Sequence, residues 1–225
     1  MKKNQYEAAE QFLHEHREPG FPDCLHSYRV LHIALCIAAE EQEVDYDVLI
    51  LACLLHDVGR AALGAAAGHA VVGAEMAYSF LKEENWSENV ANHVKNCIKT
   101  HSRKSLEEPE SLEAKILYDA DKLDMSGAVG CARMVTLCTL EQLPMYEVDE
   151  RGMPLPGEKE EAPSLFREVS KRRKRGVSYY TKEGKRLGEK RQDYWEGYFA
   201  RVKKEVKNMA KKGTKILDKN INDAK

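Results

Sequence analysis

Apolar side chains recur along this chain at intervals of three and four, and strand-like alternation is missing. The spacing predicts a first helix over residues 6–15 and a second over 25–41, with Val30, Leu31, Ala34, Leu35 and Ala38 on one stripe. Residues 46–57 form the most apolar segment, unbroken over 48–55; a helix apolar nearly all round belongs at the centre of a bundle, and Gly59 is its expected terminator. Further helices are expected over 69–83, after an N-capping Ser87 with Val90, Val94 and Ile98 inward, over 112–123 and over 128–140. Pro144, Pro154, Pro156 and Pro163, with Gly152 and Gly157, mark a loop. A basic helix follows, then a long amphipathic one over 185–209 carrying Tyr194, Trp195, Tyr198, Phe199, Val202 and Val206. The last dozen or so residues, rich in Lys, Asp and Asn, are expected to fray. The pattern predicts an all-α bundle with a core over 1–142, a loop over 143–163, and a helical C-terminal extension over 164–225 packing on the core.

At 225 residues, 43% hydrophobic and 32% charged, the chain can bury a core without disulfides, which excludes prevailing disorder. The run over 48–55 is too short to span a bilayer, and the charged N-terminus lacks a secretory apolar stretch. A cytoplasmic protein without membrane association is expected. Cysteines 24, 36, 53, 97, 131 and 138 form no C-x-x-C pair and read as buried thiols rather than a zinc-thiolate site. Net charge is 35 − 37 = −2, but residues 167–191 hold 11 basic and 3 acidic side chains, leaving −10 on the remainder. Such a run is usually a solvated helix face or a basic rim. A nucleic-acid surface using it, with Tyr179 and Tyr180 stacking on bases, is a competing and less favoured reading.

Chemistry concentrates at helix ends. His56 and Asp57 follow the most apolar helix, where a buried carboxylate is costly unless paired or coordinated. His26 begins an earlier amphipathic helix, His101 ends the segment containing Cys97 and Ile98, and Asp121 sits near the end of another helix. Such termini can converge at one mouth of a bundle. Imidazoles and carboxylates together suit a divalent ion such as Mn, Fe, Co, Ni or Zn, with Mg also open. Asp124, one turn beyond Asp121, and Lys122, adjacent to Asp121, lie at the same helix end.

Four segments, in order, resemble the HD-domain superfamily of metal-dependent phosphohydrolases. Asp23-Cys24-Leu25-His26-Ser27-Tyr28-Arg29-Val30 is similar to its first-histidine helix, and Leu51-Ala52-Cys53-Leu54-Leu55-His56-Asp57-Val58-Gly59 to its A-x-L-L-H-D-[IV]-G segment. His69-Ala70-Val71-Val72-Gly73-Ala74 is similar to H-x-x-x-G-A, and Tyr118-Asp119-Ala120-Asp121-Lys122-Leu123-Asp124 to x-D-A-D-[KR]-L-D. The resemblance covers residues 23–130, and Thr181-Lys182-Glu183-Gly184 with Arg191 is similar to the end of small bacterial members.

The resemblance implies an all-helical HD bundle in which His26, His56, Asp57 and Asp121 hold one metal ion. His69 and His101 fall where some members contact phosphate or complete a second metal site. Asp57, Asp124 and Lys122 then carry catalytic roles, and His69, His101, Arg60 and Lys122 meet the phosphate; Arg133 is a weaker candidate. No G-Y-P follows the HD pair, and the Glu-Asp of alarmone hydrolases and the Gly-His-Pro of dNTP triphosphohydrolases are absent. The expected activity is hydrolysis of a small phosphorylated metabolite, a nucleotide first among candidates, by metal-activated water, as phosphomonoesterase or pyrophosphohydrolase. The alternative is a non-catalytic metal- or nucleotide-binding module. Oligomeric state stays open, a homodimer included.

Overall fold

The computed structural model describes residues 1–17, 23, 25–63, 68–102, 105 and 107–222. Among them the helices are α1 (Lys3–Glu15), α2 (His26–Ala38), α3 (Tyr46–Leu55), α4 (Arg60–Leu63), α5 (His69–Glu83), α6 (Glu88–Thr100), α7 (Leu112–Asp124), α8 (Gly127–Leu140), α9 (Leu165–Arg175) and α10 (Lys182–Asn222). The described residues contain no strand, only one bridge between Val148 and Pro154. The fold is all-α, as the periodicity predicts. No helix among the described residues is long and apolar enough to cross a membrane.

Two compact units emerge, one comprising Met1–Asp124 with Ser178–Gly188, the other Met125–Val177 with the chain from Glu189 onward. The division falls after Asp124, whereas the sequence pattern draws it at 142. The cause is long-range packing: Cys131, Met134 and Cys138 of α8 share a core with Leu165 and Val169 of α9 and Trp195 and Phe199 of α10.

In the first unit α3 is the axis. Its residues Val48, Leu49, Leu51, Ala52, Cys53, Leu54 and Leu55 are all fully buried, and it touches α1, α2, α6 and α7. Asp45 starts it by accepting from the Asp47 and Val48 amides at 3.1 Å, which satisfies two otherwise orphaned N–H groups. Full burial of its last five residues, Leu51–Leu55, places whatever follows Leu55 inside the bundle rather than at its surface. Gly59 does not end this helix. Its role is steric: a Cβ there would lie 2.1 Å from the His69 carbonyl oxygen and 2.6 Å from the Gly73 amide nitrogen. Glycine thus lets the turn after α3 press against the first turns of α5.

The segment Ser178–Gly188 is fastened to α7 through Asp119, which is fully buried. Its carboxylate accepts from the Tyr180 amide at 2.8 Å and from the Thr181 amide and hydroxyl at 2.7 Å each. The Thr181 hydroxyl in turn accepts from the Gly184 amide at 3.0 Å, capping the start of α10.

In the second unit Trp195 and Phe199 are buried with ring centroids 4.8 Å apart. Arg172 lies over the Trp195 ring at 5.5 Å and donates to the Met125 carbonyl at 2.7 Å. Beyond Phe199 no described residue of α10 is buried, yet the helix continues to Asn222, past the point where composition predicts fraying. Five described cysteines are free thiols; Cys53, Cys97, Cys131 and Cys138 are buried, and Cys36 is exposed, unlike the expectation for it. Cys24 lies outside the described residues.

Candidate metal centre

Five element ends of the first unit converge. His26 opens α2, His56 and Asp57 follow α3, His69 opens α5, His101 follows α6, and Asp121 lies in the last turn of α7. The His26 Nε2 atom is 3.4 Å from His56 Nε2, 3.1 Å from Asp121 Oδ1 and 3.7 Å from Asp57 Oδ2. His56 Nε2 is 3.6 Å from Asp57 Oδ2. The other Asp57 oxygen, Oδ1, faces His101 Nε2 at 3.6 Å and His69 Nε2 at 3.9 Å. Asp57 is therefore shared between two groups of donors, His26–His56–Asp57 and Asp57–His69–His101, each with its ligand atoms within 4.8 Å of one another.

The protonation of the rings follows from their far sides. His56 Nδ1 is 2.9 Å from the Cys53 carbonyl and His101 Nδ1 is 2.6 Å from the Ile98 carbonyl. A carbonyl only accepts, so each Nδ1 carries the proton and each Nε2 presents a lone pair to the centre. His26 Nδ1 is 2.7 Å from Asp124 Oδ2, which gives the same tautomer. Two Nε2 lone pairs 3.4 Å apart repel unless a cation or proton lies between them. Burial pushes the His56 imidazole down to about 4, outweighing the pull of Asp57, so a proton is not what fills that gap near neutrality.

Burial acts to raise the Asp57 carboxyl, but His56, His101 and Arg60 around it prevail and hold it well below the usual carboxylate range. Asp121 is likewise depressed: burial opposes, while Lys122, His26 and His56 win. Asp57 Oδ1 is buried and accepts no hydrogen bond. An ionised carboxylate in that position, with the His26 and His56 Nε2 atoms beside its other oxygen, fits a bound divalent ion. The residues present match the chemistry of such an ion, and its identity is not written in them.

Lys122 Nζ donates to Asp121 Oδ2 at 2.5 Å and to the His101 carbonyl at 3.0 Å, and Arg60 Nε lies 2.6 Å from Asp57 Oδ2. Both cations thus sit beside the cluster. Asp124 does not face it. Its carboxylate, 1% exposed, lies behind His26 and accepts from Arg29 Nε at 2.8 Å and Nη2 at 3.0 Å. Arg29 also binds both oxygens of Asp23 at 2.7 Å. Asp23, His26 and Asp124 form a third donor group, but the Arg29 guanidinium already supplies its positive charge. Asp23 and Arg29 lie inside the His26 motif segment, one turn to either side of His26, and the structure adds the ion pairs they make. Arg133 lies on α8, in the second unit.

The HD-domain family model matches residues 25–126, a span that contains His26, His56, Asp57, His69, His101, Asp121 and Asp124. The chain carries an HD domain. It is 37% identical over 93 residues to ribonuclease Y of Borreliella afzelii, a match covering 40% of this chain and 16% of that protein's length. Likeness to solved structures extends beyond the HD domain. An HD-superfamily hydrolase of Bacillus thuringiensis is 25% identical, with TM-score 0.66, covering 91% of this chain and 98% of that one. Bacillus subtilis YpgQ in complex with ADP shares the fold at 21% identity and TM-score 0.63, covering 90% and 95%.

Proposed function

We propose that this HD-domain protein is a metal-dependent phosphohydrolase acting on a small phosphorylated metabolite, with nucleotides the first class to test. The observation that carries this reading is the shared Asp57, whose Oδ2 faces His26 and His56 while the buried Oδ1 faces His69 and His101. His26, His56, Asp57 and Asp121 would hold the ion. His69 and His101 would reach a phosphoryl oxygen or a second ion on the far side of Asp57. When bound, the ion supplies Lewis acidity that polarises phosphorus–oxygen bonds and acidifies water.

The chain's own residues do the rest. Phosphoryl transfer is mostly positioning and charge neutralisation, and Lys122 and Arg60 are fixed cations for that purpose. Asp124, turned away from the centre, holds the His26 ring and its tautomer instead of moving a proton. A cavity of about 210 Å³, lined by His69, Ala70, Val71, Lys99 and Ser102 among others, gives room for the part of a substrate beyond its phosphate. Kinship with HD-superfamily hydrolases supports turnover over mere binding. The YpgQ likeness speaks for the fold, and the ADP held there names a first ligand to try.

The deciding experiment is phosphate release from nucleotides and sugar phosphates with Mn, Co, Ni, Fe, Zn or Mg added, beside the Asp57→Ala variant. Turnover lost in that variant supports the assignment; metal bound without turnover across the library favours a binding module. The local identity to ribonuclease Y favours a second reading, cleavage of an RNA phosphodiester. A labelled RNA oligonucleotide in the same screen separates the two.

A further inference from the structure

After Phe199, α10 runs through about six more turns without a buried residue. Helical stability in proteins comes mainly from a packed apolar face, and Gly213 weakens this stretch further. At about 100° per residue, Val206, Met209, Gly213, Ile216, Leu217 and Ile221 fall within an arc of roughly 140°. The same arc carries Trp195 and Phe199, which are buried against α8 and α9. Beyond the half-buried Val206 it is open: Met209 is 67% exposed, Ile216 54%, Leu217 57% and Ile221 60%. Lys204, Lys207, Lys211, Lys212, Lys215 and Lys219 occupy the opposite side.

The stripe is close to palindromic about Gly213. Antiparallel pairing with a second copy centred there sets Met209 against the partner's Leu217 and Val206 beside the partner's Ile221. Gly213, lacking a side chain, lets the two backbones approach at the crossing. In the same register Asp218 falls one residue from the partner's Lys207 and Glu205 two from the partner's Lys219, within reach of those long side chains. A flat bilayer suits the stripe less well. The face that would touch it is already stepped by α8 and α9 at Trp195 and Phe199, and a helix fits beside that step.

We propose that residues 206–221 of α10 form the seam of an antiparallel homodimer. A seam of about four turns lies at the small end of stable interfaces, so association is concentration-dependent and micromolar. The test is sedimentation of the full chain over roughly 1–100 µM, as wild type, Leu217→Glu, Asp218→Lys, and the double Lys207→Asp/Asp218→Lys. These positions are exposed, so circular dichroism should show each variant folded. Dimerisation should weaken at least about tenfold in Leu217→Glu and in Asp218→Lys, and return in the double swap, since only self-pairing in this register restores the charge match. A wild-type monomer throughout that range overturns the proposal. So does a dimer indifferent to Leu217→Glu, or an Asp218→Lys defect that the second swap leaves unrepaired. Monomeric protein that instead binds phosphatidylglycerol vesicles, and loses this in Leu217→Glu, overturns it in favour of a lipid surface.

Discussion

His26 and Asp124 are 98 residues apart and joined by a 2.7 Å contact between Nδ1 and Oδ2, with Arg29 clamping the same carboxylate from the other side. A carboxylate behind a ligating imidazole fixes the ring, selects the tautomer and raises ligand basicity. Asp124→Asn keeps the shape and removes the charge. It should lower metal affinity by about 10–100-fold, measured by calorimetric titration of the metal-free protein. Wild-type affinity in a folded Asp124→Asn variant would show that the pair only staples α2 to α7.

Asp57 is common to both donor groups, whereas His101 belongs to one. Asp57→Ala should abolish tight metal binding. His101→Ala should retain an ion at His26, His56 and Asp121 while turnover drops by about 100-fold, the scale of losing one positioned polar contact to the reacting phosphate. Elemental analysis beside a melting curve checks this. A collapsed melting temperature with kcat of the folded fraction intact would make His101 structural.

Gly59 and Gly197 predict opposite signs for one substitution. A Cβ at Gly59 collides with backbone at 2.1 Å, while one at Gly197, inside α10, meets nothing within 4 Å. Gly59→Ala should destabilise by about 3 kcal/mol or more and displace the turn bearing Asp57. Gly197→Ala should stabilise by about 0.5–1 kcal/mol through helix propensity. Urea melts of both variants decide it.

The depressed His56 imidazole makes metal-free stability pH-dependent. Its ordinary value is 6.5 and its value in the fold about 4, so between these limits the unfolded chain takes up a proton that the folded one refuses. Stability is therefore complete above pH 6.5 and falls as pH drops, by an eventual ~3 kcal/mol. Asp57 and Asp121, depressed below the ordinary 3.8, act in the same direction at still lower pH. Denaturant midpoints at several pH values should show the slope, and His56→Gln should flatten it above pH 4. A slope equal to wild type would contradict the buried neutral ring.

Much of the centre could be read from the chain, because α3 is apolar on every side and so commits His56 and Asp57 to the interior. The remaining donors follow from motif order. Asp124 misleads a local reading: a spacing of three from Asp121 suggests a common face, but being the last residue of α7 it turns toward the start of α2, which only tertiary packing reveals. Gly59 looks like a helix stop because the atom it must avoid, the His69 carbonyl oxygen, belongs to a helix not yet begun. The unit boundary at Asp124 is invisible locally for the same reason, since α8 finds its core among residues of α9 and α10.

The bonds from Asp119 to Tyr180 and Thr181 bear on how such a protein can be cut, shuffled or grafted. A gene fragment ending at the edge of the family match would keep every donor of the centre, yet leave a buried carboxylate stripped of three hydrogen bonds, two residues from Asp121. The inheritable module is thus discontinuous in the gene: the segment Ser178–Gly188 must travel with the first 124 residues, whatever is spliced between them.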